Sequence, residues 1–433
     1  MKRYLLSAVL AVFAVGAIGS YYLFAAKGGM PEYQLKRVEG DASIGETFEL
    51  GGSYVGGIGS KALTLSEAEG TKYRLEKGYF EGIKESHYFT NASADMQRLK
   101  KEHRSFMRSK VNLNSLYEDE EYLLYADVRL YLEQSKWNTV LKYERLELAT
   151  GRTVKVSRTI ETDIHADWIV VGDVQRIGRE VHLLLERRFH DRNERGNRIG
   201  SVNEYVDLVV ELDTGMPIRE IRLDAVTDAE GSVETSMRTI ANERYAAPSE
   251  YAVLRTHSVK YENDPQASPL DKESNASETV DDRLVAYSYR TGETKEIPAP
   301  FGDGGTLGGI DLALLNGSTL TIARSNEQSI ETASFDLANG NESNGILAVR
   351  AEQVGGKSIH SYRLANGRIY ALVAEESRSR NDATNHPNEN RFVVVLDAAS
   401  GKLLYKGRPE YAGDASDAER QMKWLWLNNV YVR

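Results

Sequence analysis

A strand, turn and glycine signature that recurs five times, a second hairpin signal upstream of it in several units, and little helical periodicity beyond residue 47 together predict an all-β chain. The expected architecture is a β-propeller of six to eight four-stranded antiparallel blades, preceded by one N-terminal transmembrane helix. The domains follow: residues 1–26 as a signal-anchor helix, 27–46 as a juxtamembrane linker, and 47–433 as the propeller, with a helical insertion near 94–110.

The first element is the N-terminal run. Lys2 and Arg3 precede an uncharged stretch of 23 residues from Tyr4 to Ala26, which at about 1.5 Å per residue is long enough to cross a bilayer. Positive charge ahead of it puts the N-terminus in the cytoplasm and everything after Lys27 outside, as a single-pass cell-membrane protein. The alternative is a cleaved signal peptide, because Ala17-Ile18-Gly19 offers a small-x-small site before Ser20, and the product would then be secreted. The body is extracytoplasmic in either case. With 54 basic and 64 acidic residues the net charge is −10, so the chain has no general attraction for nucleic acid. Cysteine is absent, which excludes disulfides, thiolate zinc sites, iron–sulfur clusters and a cysteine nucleophile.

From Phe48 onward, short runs of Val, Ile, Leu, Tyr and Thr are cut by Gly, Asn and Asp. The first signature is an apolar strand followed by a small or polar group ending in glycine. It occurs at Leu146 to Gly151, Val210 to Gly215, Tyr287 to Gly292, Phe335 to Gly340 and Val395 to Gly401. Glycine accepts the positive φ of a hairpin turn, while Asp or Thr before it bonds the local backbone. The second signature reads Leu312 to Gly317, Tyr362 to Gly367 and, with Asn428-Asn429 at the turn, Trp424 to Val432. Two hairpins per unit amount to four antiparallel strands, a propeller blade. The last strands, Trp424 to Val432, are expected to complete a blade with strands from Phe48 to Leu75, since an open repeat leaves unpaired edges.

The signature glycines are 64, 77, 48 and 61 residues apart, longer than the ~40–50 of a typical blade. The excess falls between second and third strands, at Arg187–Tyr205, Tyr261–Asp282 and Glu376–Arg391, which places all three loops on one face. The units ending near Arg158 and containing Ser325 to Ser329 lack such an insertion. Arg187, Arg188, Arg192, Arg195 and Arg198 of the first loop are the candidate ligand-binding residues, because guanidinium forks suit carboxylate and phosphate. The plainer alternative is that charged loops hold water and pair with one another. Asp95 to Lys110 carries Met96, Leu99, His103, Phe106 and Met107 at helical spacing beside six basic residues. It reads either as a basic helix on an anionic surface or as a solvated helix packed on the rim.

The turn Leu396-Asp397-Ala398-Ala399-Ser400-Gly401-Lys402 resembles the Asp-x-x-Thr-Gly-Lys-like turn of quinoprotein-type (PQQ-type and YVTN-type) propeller repeats, a resemblance that covers residues 47–433. The dehydrogenases of that family carry a tryptophan after the turn glycine, where this chain has Tyr405 in one unit and Ile218 or Glu220 in another. No adjacent cysteine pair is present to cover a quinone, so no cofactor is expected. Gly-x-Ser-x-Gly, His-Glu-x-x-His, Walker and EF-hand patterns are all absent, and the eight histidines share no ligand spacing. No catalytic or metal-binding residue is identified. The leading function is a membrane-tethered, non-catalytic binding or scaffolding module for a protein or an anionic polymer of the cell envelope; the alternative is an enzyme with its site at the central channel.

Overall fold

The computed structural model describes residues 30–56, 60–73, 94–133, 136–160, 166–192, 198–223, 233–240, 246–261, 277–299, 301, 312–375 and 390–432, together with Phe13 and Gly16. The expected N-terminal span otherwise lies outside the described residues; among those described, no helix is long and apolar enough to cross a membrane.

In chain order, β1 (Tyr33–Gly40) and the short helix α1 (Ala42–Gly45) precede β2 (Phe48–Tyr54), β3 (Lys61–Ser66) and β4 (Gly70–Tyr73). Helix α2 (Ala94–Glu102) leads to β5 (Leu116–Glu118), β6 (Tyr122–Glu133), β7 (Lys136–Glu147) and β8 (Thr153–Ile160). Then come β9 (Trp168–Ile177), β10 (Glu180–Arg192), β11 (Arg198–Glu211), β12 (Pro217–Leu223), β13 (Val233–Ile240), β14 (Tyr251–Tyr261), β15 (Ser277–Ser288) and β16 (Thr294–Ile297). The remainder is β17 (Leu312–Asn316), β18 (Thr319–Ser325), β19 (Ser329–Asp336), β20 (Asn341–Arg350), β21 (Ser358–Ala365), β22 (Arg368–Ala374), β23 (Arg391–Asp397), β24 (Leu403–Tyr411), helix α3 (Ala418–Met422) and β25 (Leu425–Val432).

These strands form four-stranded antiparallel sheets of the propeller type. Blade 1 is β25-β2-β3-β4, blade 2 is β5 to β8, blade 5 is β17 to β20, and blade 6 is β21 to β24 with β1 added outside β24. Blades 3 (β9 to β12) and 4 (β13 to β16) are joined into one sheet by a single parallel bridge between Val202 and Thr235. The chain's last strand therefore completes the blade begun by its first ones, with Phe48 opposite Val432 and Tyr54 opposite Leu425.

The five signature glycines behave alike. Gly151, Gly215, Gly292, Gly340 and Gly401 have φ between +62° and +74°, and each donates its N–H to the carbonyl four residues earlier at 2.8 Å. A side chain at that φ is strained, which is why glycine recurs there. Helix α2 and the turns after it bury their apolar side chains: Met96 and Leu99 of the helix and Phe106 and Met107 beyond it pack against Leu116, Leu123 and Leu146. Two of the basic side chains in this stretch are also held by the protein. Arg98 is bidentate to Glu118, and Lys110, 4% exposed, bonds Glu144 at 2.7 Å. The insertion is thus packed on blade 2.

Two expectations are corrected. The stretch read as a linker contains β1, which pairs with β24 from Tyr33–Tyr411 to Gly40–Tyr405; on this outer edge only Tyr33 and Leu35 are buried, so its sequence is polar like a linker. The Asn428-Asn429 turn does not form either. Strand β25 runs straight through it with a bulge opposite Gly51 and Gly52. Those glycines permit the close approach: a Cβ on Gly51 would run into the Tyr431 ring, and one on Gly52 into the carbonyl of Trp426.

The core lies between sheets rather than within one. Separate clusters join blades 2 and 3 (Leu141, Tyr143, Leu183, Val210), 3 and 4 (Leu184, Tyr205, Leu254, Tyr287), 4 and 5 (Leu284, Ile322, Phe335), 5 and 6 (Ile330, Phe392, Val394), and 6 and 1 (Tyr370, Val395, Phe48, Leu427). Middle strands packed on both faces must be apolar at successive positions, as Val393 to Leu396 are.

Leu425, Leu427 and Val430 of β25 are 3%, 2% and 2% exposed. Their burial contributes about 5–8 kcal/mol, comparable with the ~5–15 kcal/mol that stabilises a whole domain. Removing residues 424–433 is expected to lower the melting temperature by more than about 10 °C or abolish the cooperative transition. A truncated protein that melts with the wild type would contradict the pairing.

Candidate functional site

In such a meander the first-to-second and third-to-fourth connections lie at one end of the sheet, and the second-to-third connections at the other. The first end is closed by the tight glycine turns. The other, the loop face, is uneven. The middle strands are 7 and 8 residues long in blade 5 and 7 each in blade 6. They reach 12 and 12 residues in blade 2, 13 and 14 in blade 3, and 11 and 12 in blade 4. Four to six extra residues correspond to a projection of roughly 15 Å. Strand β13 follows β14 out to Lys260, and the Val202–Thr235 bridge ties it to β11, so the extensions of blades 3 and 4 are one continuous sheet.

Arg187–Tyr205, Tyr261–Asp282 and Glu376–Arg391 all occupy second-to-third connections. The first is a long ladder from Glu180–Glu211 to Arg192–Arg198, while 193–197, 262–276 and 376–389 lie outside the described residues. Blade 2, where no insertion is expected from the sequence, is extended as well. Its extra length is paired strand, and apolar positions such as Leu130 and Tyr131 do not look like a loop.

The five candidate arginines part company. Arg187 is 2% exposed and directs its fork into the protein: Nη1 and Nη2 donate to Glu220 at 3.0 and 3.1 Å, with Glu204 at 3.8 Å. It is a buried structural ion pair, with its fork turned to Glu220 rather than to solvent. Arg188, on the other face of the strand, lies over the Trp168 ring at 5.4 Å and 3.7 Å from Glu186. Arg192 and Arg198 stand opposite each other at the tip of the ladder. Arg195 lies outside the described residues.

A second cluster, which the sequence does not announce, lies between blades 3 and 4. His182 Nδ1 is 2.7 Å from Asp207 Oδ2, which also accepts from the Tyr287 hydroxyl at 2.7 Å. Asp173 accepts from the Tyr289 hydroxyl at 2.7 Å and from Gln175 at 3.2 Å, and Gln175 accepts from the Ser249 amide at 2.8 Å. A His–Asp–Tyr chain has the makings of an acid–base relay. Here, however, His182 is 1% exposed, Asp207 is 0% and the tyrosines are buried, so no substrate reaches it. The group fastens two blades. The only sequence signal is a polar residue inside an apolar strand, as at Asp173, Gln175, His182 and Asp207.

Ligand atoms of Glu102, His103 and Glu118 lie within 4.8 Å of one another. Arg98 donates to Glu102 and Glu118 at 2.9 Å, so a cation is already in place between the carboxylates. A third cluster, of polar side chains from β18, β21 and β25, lines a pocket of about 350 Å³.

No protein-family model matches the chain, and no curated protein matches it. Similar solved structures include an oligogalacturonate lyase in complex with manganese, at 14% identity and TM-score 0.27 over 66% of this chain and 62% of that one. A chain from an analysis of two prolyl endopeptidases aligns at 10% identity and TM-score 0.29, over 86% of this chain and 50% of that one. The Dos1 propeller aligns at 8% identity and TM-score 0.26, over 70% and 74%. This chain spans less than two thirds of the first two, and at these scores the likeness assigns no activity.

Burial pushes the Asp173 carboxyl up to about 6, against the hydrogen bonds from Tyr289 and Gln175 that favour its charged form. A folded-state value above the ordinary carboxylate range means that its contribution to stability is full in acid, below about pH 4. It is lost as the pH rises through about 6. The stability of wild type minus that of Asp173→Asn, from urea unfolding, should therefore be larger at about pH 4.5 than at about pH 7.5, by roughly 2 kcal/mol. A difference independent of pH would show that Asp173 is not held in this way.

Proposed function

We propose that this protein is a non-catalytic binding or scaffolding module, tethered to the membrane by residues 1–26 with its body outside the cytoplasm. Its loop face takes a protein or an anionic envelope polymer. The observation that carries this reading is the register of the β10–β11 ladder, which sets Arg192 directly opposite Arg198 at the tip of a projecting hairpin. Like charges directly opposite one another destabilise a ladder, and the sequence between them adds a third cation, Arg195. A bound carboxylate or phosphate relieves that repulsion. Arg187 takes no part, since Glu220 already neutralises it.

The sealed position of the His182–Asp207 pair supports a binding role over a catalytic one among the described residues. The length of the Tyr4–Ala26 run and the charges before it support the tether. Protease treatment of intact cells should remove the body and leave the N-terminus behind. A mature protein starting near Ser20 and recovered from the medium would replace the tether by secretion.

Replacing Arg192, Arg195 and Arg198 by Ala should weaken retention on isolated envelope material by at least about tenfold at low salt, with the melting temperature unchanged or raised. Wild-type retention should fall with added salt. Arg187→Ala should instead lower stability by about 1–3 kcal/mol, because it removes a buried guanidinium and its two hydrogen bonds to Glu220, which is itself partly exposed and keeps Arg222 at 3.9 Å. Equal retention of wild type and triple variant would remove the arginines from the interaction.

A further inference from the structure

The pocket of about 350 Å³ is walled by the first strands of blades 5, 6 and 1, β17, β21 and β25, and opens toward the loop face at Leu312 and Ser325. Its polar lining is Ser325, His360, Ser361, Tyr362, Arg363 and Asn429, with two apolar side chains and no acidic one. Arg363 is exposed to the pocket and has no ion-pair partner among the described residues. The Ser361 hydroxyl oxygen is buried and without a hydrogen-bond partner. A buried polar group left in that state costs about 1–3 kcal/mol.

The backbone is irregular at the same place. Strand β21 is bulged between Ile359 and Ser361, which makes His360 the extra residue. The neighbouring β25 is bulged at Asn428, beside the lining residue Asn429. A bulge breaks the strict alternation of side chains and re-aims those next to it. Two bulges on adjacent strands, an unpaired guanidinium and an unsatisfied hydroxyl converge on one cavity.

From this we infer a second binding site, for an anionic group of about the size of one sugar, carrying a carboxylate or a phosphate. Arg363 supplies the countercharge, and Ser361 and Asn429 supply hydrogen bonds to the ligand's oxygens. The volume stands at the lower end of the ~300–1,000 Å³ usual for ligand pockets, which excludes a large ligand. The site shares the loop face with the arginine-tipped hairpin but uses none of its residues. Its failure and the failure of the envelope-binding reading are thus separately visible.

Calorimetric titration of the full chain at low salt with D-glucuronate, glucose 6-phosphate and neutral D-glucose tests the site. One or both anions should bind, and glucose should not. Arg363→Gln should weaken the interaction at least about tenfold, and Ser361→Ala several-fold, with melting temperatures within about 2 °C of wild type. Binding of only the phosphate sugar, or only of glucuronate, assigns the recognised group; binding of both assigns it to charge. The site is refuted if neither anion binds at about 10 mM, if glucose binds as well as they do, or if Arg363→Gln binds them like wild type.

Discussion

The arrangement depends on the pairing of β25 with β2, residues nearly four hundred positions apart in a chain of 433. An antiparallel sheet of three short strands, β2 to β4, has two edges, one of them facing the middle of the assembly. Filling that edge with the last strand satisfies its backbone and delivers Leu425, Leu427 and Val430 to the cluster shared with blade 6. The pairing sets the loop-closure cost of the fold, and once made it fixes where the first strands of blades 5, 6 and 1 stand relative to one another. Arg391 of blade 6 adds a hydrogen bond to the carbonyl of Leu427, which ties the closing strand from its other side.

Each of the described junctions is an apolar cluster, and three of them add tyrosine hydrogen bonds across it. Tyr143 donates to the carbonyl of Leu212 at 2.8 Å between blades 2 and 3. Tyr287 and Tyr289 donate to Asp207 and Asp173 between blades 3 and 4. Tyr405 donates to Glu67 at 2.8 Å between blades 6 and 1. Tyrosine suits such a seam because its ring packs while its hydroxyl finds a distant acceptor. That use accounts for part of the unusual number of tyrosines, 24 of 433 residues, in a chain without cysteine to staple it.

Local features were legible in the sequence, and so was the one long-range pairing that an unpaired edge demands; other features built from distant residues were not. The turn glycines could be read because a left-handed φ is a property of one residue, and all five adopt it. The meeting of the termini could be read because unpaired edges are unstable. Strand β1 could not, since an outer edge buries two of its side chains and leaves Lys36, Arg37 and Glu39 in water. Arg187 has the look of a loop cation in sequence, yet its partner Glu220 lies 33 residues away across the sheet. The pocket draws on residues 312 to 430, and the bulges that shape it leave no pattern that composition or spacing would reveal.

Functionally, the fold separates a rigid base from an uneven loop face. The tight glycine turns lie at one end of the sheets, paired extensions lengthen blades 2, 3 and 4 at the other, and the pocket lies between blades 5, 6 and 1. The pocket depends on the closing strand, which supplies Asn429 and Val430 to its lining. Because the chain has no cysteine, its register can be read directly: Ser53 and Trp426 are opposite each other in the β2–β25 ladder, and replacing both with cysteine places two thiols in reach of one another. Mild oxidation of the folded double variant should give an intramolecular disulfide in nearly every molecule. Thiols that stay free, or bond only between molecules, while the protein remains folded would contradict the account at its base.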